Sequence, residues 1–425
     1  MEHRKYVIIG NSYAGVFAIE AIRRHDKEGD ITVVSRETYH AYARAAIHEY
    51  MDGIIGDSQM YYRDRDFYER HRVTTILGRA VTGIEPRENK VVLDNRQKVG
   101  FDRLMISTGG IPITPPIEGS AGPGMFTFTT WDDAKILRDW VKKQKEPRAV
   151  VIGGGLIGLQ CAEGLKHMGV DVTIVELADY VLVKALDQLA AHRVQKWLEK
   201  NGLKIITGST VESVNRVKGV VTGVKLKNGE KLKCNTVVLS IGVRPNTGFT
   251  EGSGIKLSRG ILVDNGMQTN IEGIFAAGDV AEAEDFLRKR QDVIPIIPVA
   301  TMQGKIAGSN MTGKKRAYPG GLPQNAFQFF GKNTVSIGNV IYIDKNDGFE
   351  EIIRDEGDVY KKAVLQYGKL VGILSMNYIT RIGIYNSIIR ARMDISGIKD
   401  KILSDNFGFL DLPEGFRDEM LTKPG

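Results

Sequence analysis

The sequence predicts an α/β chain made of two βαβ units and a smaller α+β domain after them. Two observations carry this. A glycine-rich turn lies between an apolar strand and a helix in Val7-Ile8-Ile9-Gly10-Asn11-Ser12-Tyr13-Ala14-Gly15, and again in Val150-Val151-Ile152-Gly153-Gly154-Gly155-Leu156-Ile157-Gly158. From about Pro323 the pattern changes to short alternating strands. Parallel strands need a crossover, usually a helix, so each run opens a parallel sheet. The two units read as a diverged repeat of a Rossmann-like, dinucleotide-binding fold.

The first strand is Tyr6–Gly10, with a helix over roughly Ala14–His25 and a strand at Ile31–Ser35. Residues 39–70 are polar, tyrosine-rich, and irregular or helical. Short strands follow near Thr74–Leu77, Val81–Glu85 and Lys90–Leu93. Leu104–Ser107 runs into Thr108-Gly109-Gly110 and the proline-rich stretch Ile111–Pro116. That stretch is a boundary, because proline lacks a ladder donor and stops a strand. The second unit spans about Ala149–Glu176. A long helix near Leu186–Asn201 follows, then strands at Lys204–Thr207, Gly219–Leu226 and Thr236–Ser240. Gly242-Val243-Arg244-Pro245-Asn246 returns the chain to the first unit. Ile274–Ala277 is a strand closed by Gly278-Asp279, and a helix from about Val299 carries Gln303-Gly304. The last domain holds strands Thr334–Ile337, Tyr360–Gln366 and Leu370–Met376, a helix near Thr380–Arg392, and an apolar tail. The expected parts are 1–115, 116–244, 245–322 and 323–425, the first and third forming one split domain.

The bulk composition bounds the class. Of 425 residues, 42% are hydrophobic and 26% charged, as in an ordinary globular protein. No run approaches the ~18 apolar residues of a membrane span. Met1-Glu2-His3-Arg4-Lys5 leads into a strand without a signal peptide, so the expected location is cytoplasmic. The net charge of +7 is either a plain lysine excess or a basic face for an acidic partner or for cofactor phosphates. No nucleic-acid motif accompanies it. The two cysteines, Cys161 and Cys234, form no C-x-x-C and read as small buried hydrophobes rather than reactive thiols. No metal site is expected.

The second loop has the full context of a dinucleotide site: strand before, helix after, acid roughly 20 residues on. Gly153 allows the tight turn, Gly155 the approach of a pyrophosphate, and Gly158 close helix–strand packing. The helix N-terminus, at Leu156 and Ile157, offers free N–H groups and partial positive charge to phosphates. Glu176 ends the next strand. There it either accepts hydrogen bonds from a ribose diol and repels a 2′-phosphate, or is a solvated strand end. The first reading favours NADH over NADPH. In the first loop Ser12 replaces the middle glycine, with Gly10 and Gly15 in place. Ser35 stands where an acid is expected and Glu37 is two residues late. Either one could serve the ribose.

With these pieces placed, the chain resembles the two-dinucleotide flavoproteins of the pyridine nucleotide–disulfide oxidoreductase superfamily. The marks are Leu104-Met105-Ile106-Ser107-Thr108-Gly109, Ile241-Gly242-Val243-Arg244-Pro245-Asn246, and Thr269-Asn270-Ile271-Glu272-Gly273-Ile274-Phe275-Ala276-Ala277-Gly278-Asp279. The resemblance implies a split FAD domain around an inserted NAD(H) domain, then a C-terminal interface domain. It implies FAD contacts from the first loop, at Gly10, Ser12, Tyr13, Ala14 and Gly15, and from Glu37, Val81, Thr108 and Gly109. Gly278 and Asp279 would reach the ribityl chain. Pro298 and Val299 would start a helix aimed at the flavin, its dipole stabilising the reduced ring. Arg44 sits where rubredoxin reductases and nitrite-reductase flavin domains carry an arginine near FAD. Its other reading is a surface ion pair. NAD(H) would contact Gly153, Gly155, Leu156, Ile157, Gly158, Glu176 and Gly242.

The departures narrow the chemistry. No cysteine precedes Cys161, Ala43 stands where single-cysteine relatives carry their thiol, and no histidine follows His192. Thiol chemistry is therefore excluded by inventory, and no protein side chain is expected to be catalytic; the flavin carries the chemistry. Gln160 replaces a glutamate common near the nicotinamide. The tail resembles that of FAD subunits coupling iron–sulfur oxidoreductases to NAD. The helix Thr380–Arg392 and the arm Phe407–Pro413 either pack on their own sheet or dock on a partner. The expectation is an FAD-dependent NAD(H) oxidoreductase, the electron-transfer subunit of a larger complex with an iron–sulfur partner docked through the C-terminal region. A homo-oligomer is an open possibility. Two alternatives stand beside it: a stand-alone NADH:quinone or NADH:rubredoxin/ferredoxin reductase, the quinone enzyme needing a membrane-surface anchor for which Thr380–Arg392 is the one candidate, and a non-catalytic dinucleotide sensor.

Overall fold

The computed structural model describes residues 3–341 and 347–422. The first sheet is parallel, in the order Ile274–Ala276, Arg103–Ile106, Lys5–Ile9, Asp30–Ser35, Val73–Leu77. Its middle strand is apolar and covered on both faces, as parallel strands are. The strand Ile274–Ala276 joins this sheet after a long excursion elsewhere. One hydrophobic core accordingly combines residues of 6–106 with residues of 255–318.

The second sheet repeats the plan, in the order Lys204–Ile206, Asp171–Val175, Arg148–Ile152, Thr236–Leu239, Met125–Thr127, again parallel. Each unit also carries a small antiparallel meander. Val81–Glu85, Lys90–Leu93 and Lys98–Gly100 form one, and Val211–Val217, Val220–Leu226 and Lys231–Leu232 the other. The outgoing and returning connections pair antiparallel as Gly110–Pro112 with Val243–Pro245. These are the α/β architecture and Rossmann-like repeat expected from the two loops.

Some elements lay outside the expectation. The helix Trp131–Lys142 follows a capping box in which Thr130 Oγ1 accepts from Asp133 N–H at 3.0 Å. That T-x-x-D signal stands in the sequence ahead of an apolar periodicity. The strand Val211–Val217, which alternates apolar and polar residues, also lies outside the expected elements.

The last domain is an antiparallel sheet in the order Gln324–Phe329, Lys332–Gly338, Lys369–Met376, Val359–Gln366, Phe349–Glu356. The edge strand Phe349–Glu356 is charged and exposed, which hid it from apolar patterning and blunts the edge. The helix Gly383–Ala391 buries Tyr385, Ile388 and Ile389 in this domain's core. The tail folds back beside it. Phe407 stacks on Tyr385 with ring centroids 5.7 Å apart, and Leu412 is buried too. The arm's apolar groups are thus spent internally, correcting the reading of Phe407–Pro413 as a free docking arm; only Leu410 stands out, 82% exposed. No helix among the described residues is long and apolar enough to cross a membrane.

Candidate active site

Both glycine turns are built alike. The strand Lys5–Ile9 ends at Gly10, whose φ is +109°. A Cβ there would lie 2.1 Å from the carbonyl oxygen of Ser107, and one on Gly15 would lie 2.4 Å from that of Gly10. At the second turn Gly153 has φ +110°. Its Cβ would lie 2.3 Å from the Ser240 carbonyl oxygen, and one on Gly158 would lie 2.0 Å from that of Gly153. Only glycine fits at these four positions. Gly155 differs, because a Cβ there meets nothing within 4 Å. That open space would leave room for a pyrophosphate. Ser107 and Ser240, the strand-end residues that set the packing, were not singled out from sequence. The signal was available, since each follows an apolar strand.

The helices behind these turns start without side-chain caps. Ser12 precedes Tyr13–His25 without its hydroxyl accepting from the first turn, and Gly155, which has no side chain to cap with, precedes Leu156–His167. Elsewhere in the chain Thr130 and Asp187 cap their helices. The helix Ile297–Met311 also starts without a side-chain cap; it follows Ile296 and carries Pro298 in its first turn, with Val299 buried. It lies along Tyr13–His25. A Cβ on Gly304 would lie 2.3 Å from the Ala14 carbonyl oxygen, and one on Gly308 2.6 Å from that of Ala18. The glycines let the two helices touch backbone to backbone, in parallel. Both N-termini, with their free N–H groups and positive dipole ends, therefore open at the same end.

Between those N-termini comes the turn after Ile274–Ala276. Gly278, at φ +80°, donates its N–H to Gln303 Oε1 at 2.8 Å. Its Cβ would sit 3.2 Å from that of Ala14. Asp279 follows. Burial pushes its carboxyl up to about 6, against the nearby charge of Arg44 and a bond from its own backbone N–H. Thr108 and Gly109 hold the crossover. Thr108 Oγ1 donates to the Asn246 carbonyl at 2.9 Å, and Asn246 N–H donates to that of Gly109 at 2.9 Å. Gly242, at φ +120°, accepts from Ile113 N–H at 3.0 Å.

The remaining predicted residues divide. Arg44 ion-pairs with Glu37 and donates to the Thr129 carbonyl at 2.6 Å. Tyr42 donates to the other oxygen of Glu37 at 2.6 Å. Ser35 is buried, its hydroxyl accepting from Glu37 N–H at 3.2 Å. Tyr13 stacks on Tyr62 at 4.8 Å, and Val81 lies half-buried at the margin of the first core. On the second unit, Glu176 accepts from the N–H groups of Gly154 and Ala178 at 2.5 and 2.8 Å. Both cysteines are buried. Burial pushes the Cys234 thiol up to about 12 and raises the Cys161 thiol as well.

Residues 4–304 match the family described as pyridine nucleotide-disulphide oxidoreductase. The chain belongs to this family. It is 32% identical over 409 residues to the NADH-dependent phenylglyoxylate dehydrogenase subunit epsilon of Aromatoleum evansii, covering 95% of this chain and 96% of that one. It is 28% identical to the NADH-rubredoxin oxidoreductase of Clostridium acetobutylicum, over 87% and 90%. The NAD-dependent persulfide reductase from A. fulgidus superposes with a TM-score of 0.86 at 26% identity, over 94% of this chain and 79% of that one. The chain is an NAD(P)H-dependent flavin oxidoreductase whose cofactors are FAD and NAD(H). The residues present suit two dinucleotides: uncapped helix N-termini for phosphates, open space at Gly155, and an Asp279 carboxylate that accepts from no other residue among those described. When bound, FAD supplies two-electron acceptance from a nicotinamide and release one electron at a time.

Proposed function

We propose that this oxidoreductase is the electron-transfer subunit of a larger enzyme, exchanging electrons between NAD(H) and an iron–sulfur partner. The observation that carries the reading is the inertness of both thiols. With Cys161 and Cys234 buried and their thiols held protonated, no protein disulfide relays electrons beside the flavin. Electrons must leave directly for another centre. The near end-to-end likeness to a subunit of an NADH-dependent dehydrogenase supports the partner's being part of the same enzyme. In this reading the first loop, Arg44, Asp279 and the Pro298 helix hold FAD, the second loop and Glu176 hold NAD(H), and the chain divides near residues 115, 244 and 322.

A stand-alone reductase of a small carrier is the second reading, favoured by the likeness to an NADH-rubredoxin oxidoreductase. Attachment to a membrane through the helix Gly383–Ala391 loses support, because its apolar stripe packs on its own sheet. The deciding experiment is isolation from native cells with iron analysis of what comes along. A stoichiometric iron–sulfur subunit supports the complex, and an isolated chain that reduces a small carrier supports the stand-alone enzyme. A chain whose flavin NADH does not reduce within seconds would be a sensor.

A further inference from the structure

Both carboxylate oxygens of Glu37 are engaged by side chains that it helps to place. Oε1 is paired with the Arg44 guanidinium, and Oε2 accepts from the Tyr42 hydroxyl at 2.6 Å. That hydroxyl in turn accepts from the backbone N–H of Trp131 at 3.1 Å. Trp131 is buried among tyrosines, with Tyr50 and Tyr61 edge-on at 5.4 and 5.6 Å. The chain Trp131, Tyr42, Glu37, Arg44 therefore runs from a rigid core outward. Arg44 is fixed a second time by the Thr129 carbonyl. A planar guanidinium held at two corners keeps its other donors aimed one way. Its charge is felt at Asp279 on one side and at Tyr13 on the other. Those residues belong to the strand-end turn and to the helix N-terminus that flank the candidate FAD cavity.

We propose that Glu37 is a positioning residue that clamps Arg44 at the cofactor cavity, rather than a ligand of the adenosine ribose. A swing of Glu37 away from these partners toward a ribose would leave Arg44 uncompensated and the Tyr42 hydroxyl without its acceptor. The clamp also explains why an acid stands two residues beyond the usual strand-end position. From there its side chain turns back toward Tyr42 and Arg44. The inference rests on the reading that Asp279 and Arg44 line the FAD site.

The test is FAD titration of the full-length chain stripped of cofactor, for wild type, Glu37→Gln, Arg44→Gln and the double variant, from pH 5 to 8. A clamp acts only through Arg44. Each single change should raise the Kd for FAD roughly tenfold, the scale of one charge-assisted hydrogen bond, and the double variant should bind no worse than Arg44→Gln. A ribose ligand would act independently, and multiplied losses in the double variant would overturn the proposal. So would a Glu37→Gln chain that binds FAD as tightly as wild type. The pH profile is the second readout. Affinity should fall as pH drops through the Asp279 transition near 6. Without its clamp Arg44 drifts from Asp279, so the break should move to higher pH in Glu37→Gln as it does in Arg44→Gln, and a move to lower pH would show that Arg44 keeps its place without Glu37. A break that stays put overturns the clamp. If Glu37→Gln does not fold, Tyr42→Phe replaces it in the same cycle. An Asp279→Asn chain that binds FAD like wild type at every pH would instead overturn the reading of the cavity, and the inference with it.

Discussion

Glu176 accepts a hydrogen bond from the backbone N–H of Gly154 at 2.5 Å. The strand-end carboxylate and the glycine turn are thereby one piece. The other carboxylate oxygen is held by Ala178 N–H. Two backbone donors fix a negative charge beside the open space at Gly155, where a dinucleotide would lie. A carboxylate so held accepts from a ribose diol and opposes a 2′-phosphate.

NADH is therefore expected to reduce the flavin faster than NADPH at equal concentration, in stopped-flow absorbance. Glu176→Ser should narrow the ratio by roughly tenfold, since one charge-assisted contact is exchanged for a neutral one. An unchanged ratio, or a preference for NADPH in the native chain, would show that Glu176 does not discriminate.

Asp279 gives a pH dependence with opposite signs for stability and for cofactor binding. Its folded-state value of about 6 lies above the ordinary 3.8. The ligand-free fold thus holds this proton more tightly than the unfolded chain does. The associated stability is fully present below about pH 3.8 and is lost as pH rises through 6. FAD binding runs the other way, because the ionised carboxylate is the better acceptor for ribityl hydroxyls. Asp279→Ala should weaken FAD by about 1.5–3 kcal/mol at pH 8 and by less at pH 5, measured by flavin fluorescence. Equal losses at both values would mean that the ionised form plays no part.

The thiols should be silent. Cys161→Ser, Cys234→Ser protein that folds and keeps FAD is expected to reduce an artificial dye with NADH as the native chain does. Thiol reagents should act slowly, at the rate of local opening, because both groups are buried. Loss of dye reduction in the folded double variant would require a thiol step that the buried positions do not offer.

The glycine turns were legible in sequence because their requirement is steric and local. A Cβ at Gly10, Gly15, Gly153 or Gly158 collides with backbone a few residues away or on the neighbouring strand end. The fold class followed from the same turns. Glu37 was not legible. Its distance along the chain from the strand end admitted a ribose contact, while its partners Tyr42 and Arg44 meet it only through the path of residues 39–62. The capping of that path by Trp131 comes from an element absent from the sequence expectation. The tail misled for a related reason. Apolar residues near a terminus look the same whether they cover a partner or fill the chain's own core, and only the position of Tyr385 decides.

That position sets the last expectation. Tyr385 donates its hydroxyl to the Ile402 carbonyl at 2.7 Å and takes Phe407 against its ring. Asp405 pairs with the buried Lys361 at 2.7 Å and with Arg354 at 2.9 Å. Ending the chain after Ser404 would remove Asp405, Phe407 and Leu412 together. Loss of the buried Phe407 side chain costs about 3–5 kcal/mol, and loss of the buried Leu412 adds about 2–5 kcal/mol. Those losses compare with a total stability of roughly 5–15 kcal/mol. The truncated chain is expected to melt far below the native one or to precipitate, seen by calorimetry and light scattering. Phe407→Ala alone should lower the melting temperature clearly. Leu410→Ala should leave it within about a degree or two, since an exposed side chain contributes about 0.5 kcal/mol or less. A truncated chain that melts like the native one would put the tail outside the core and return it to the role of a docking arm.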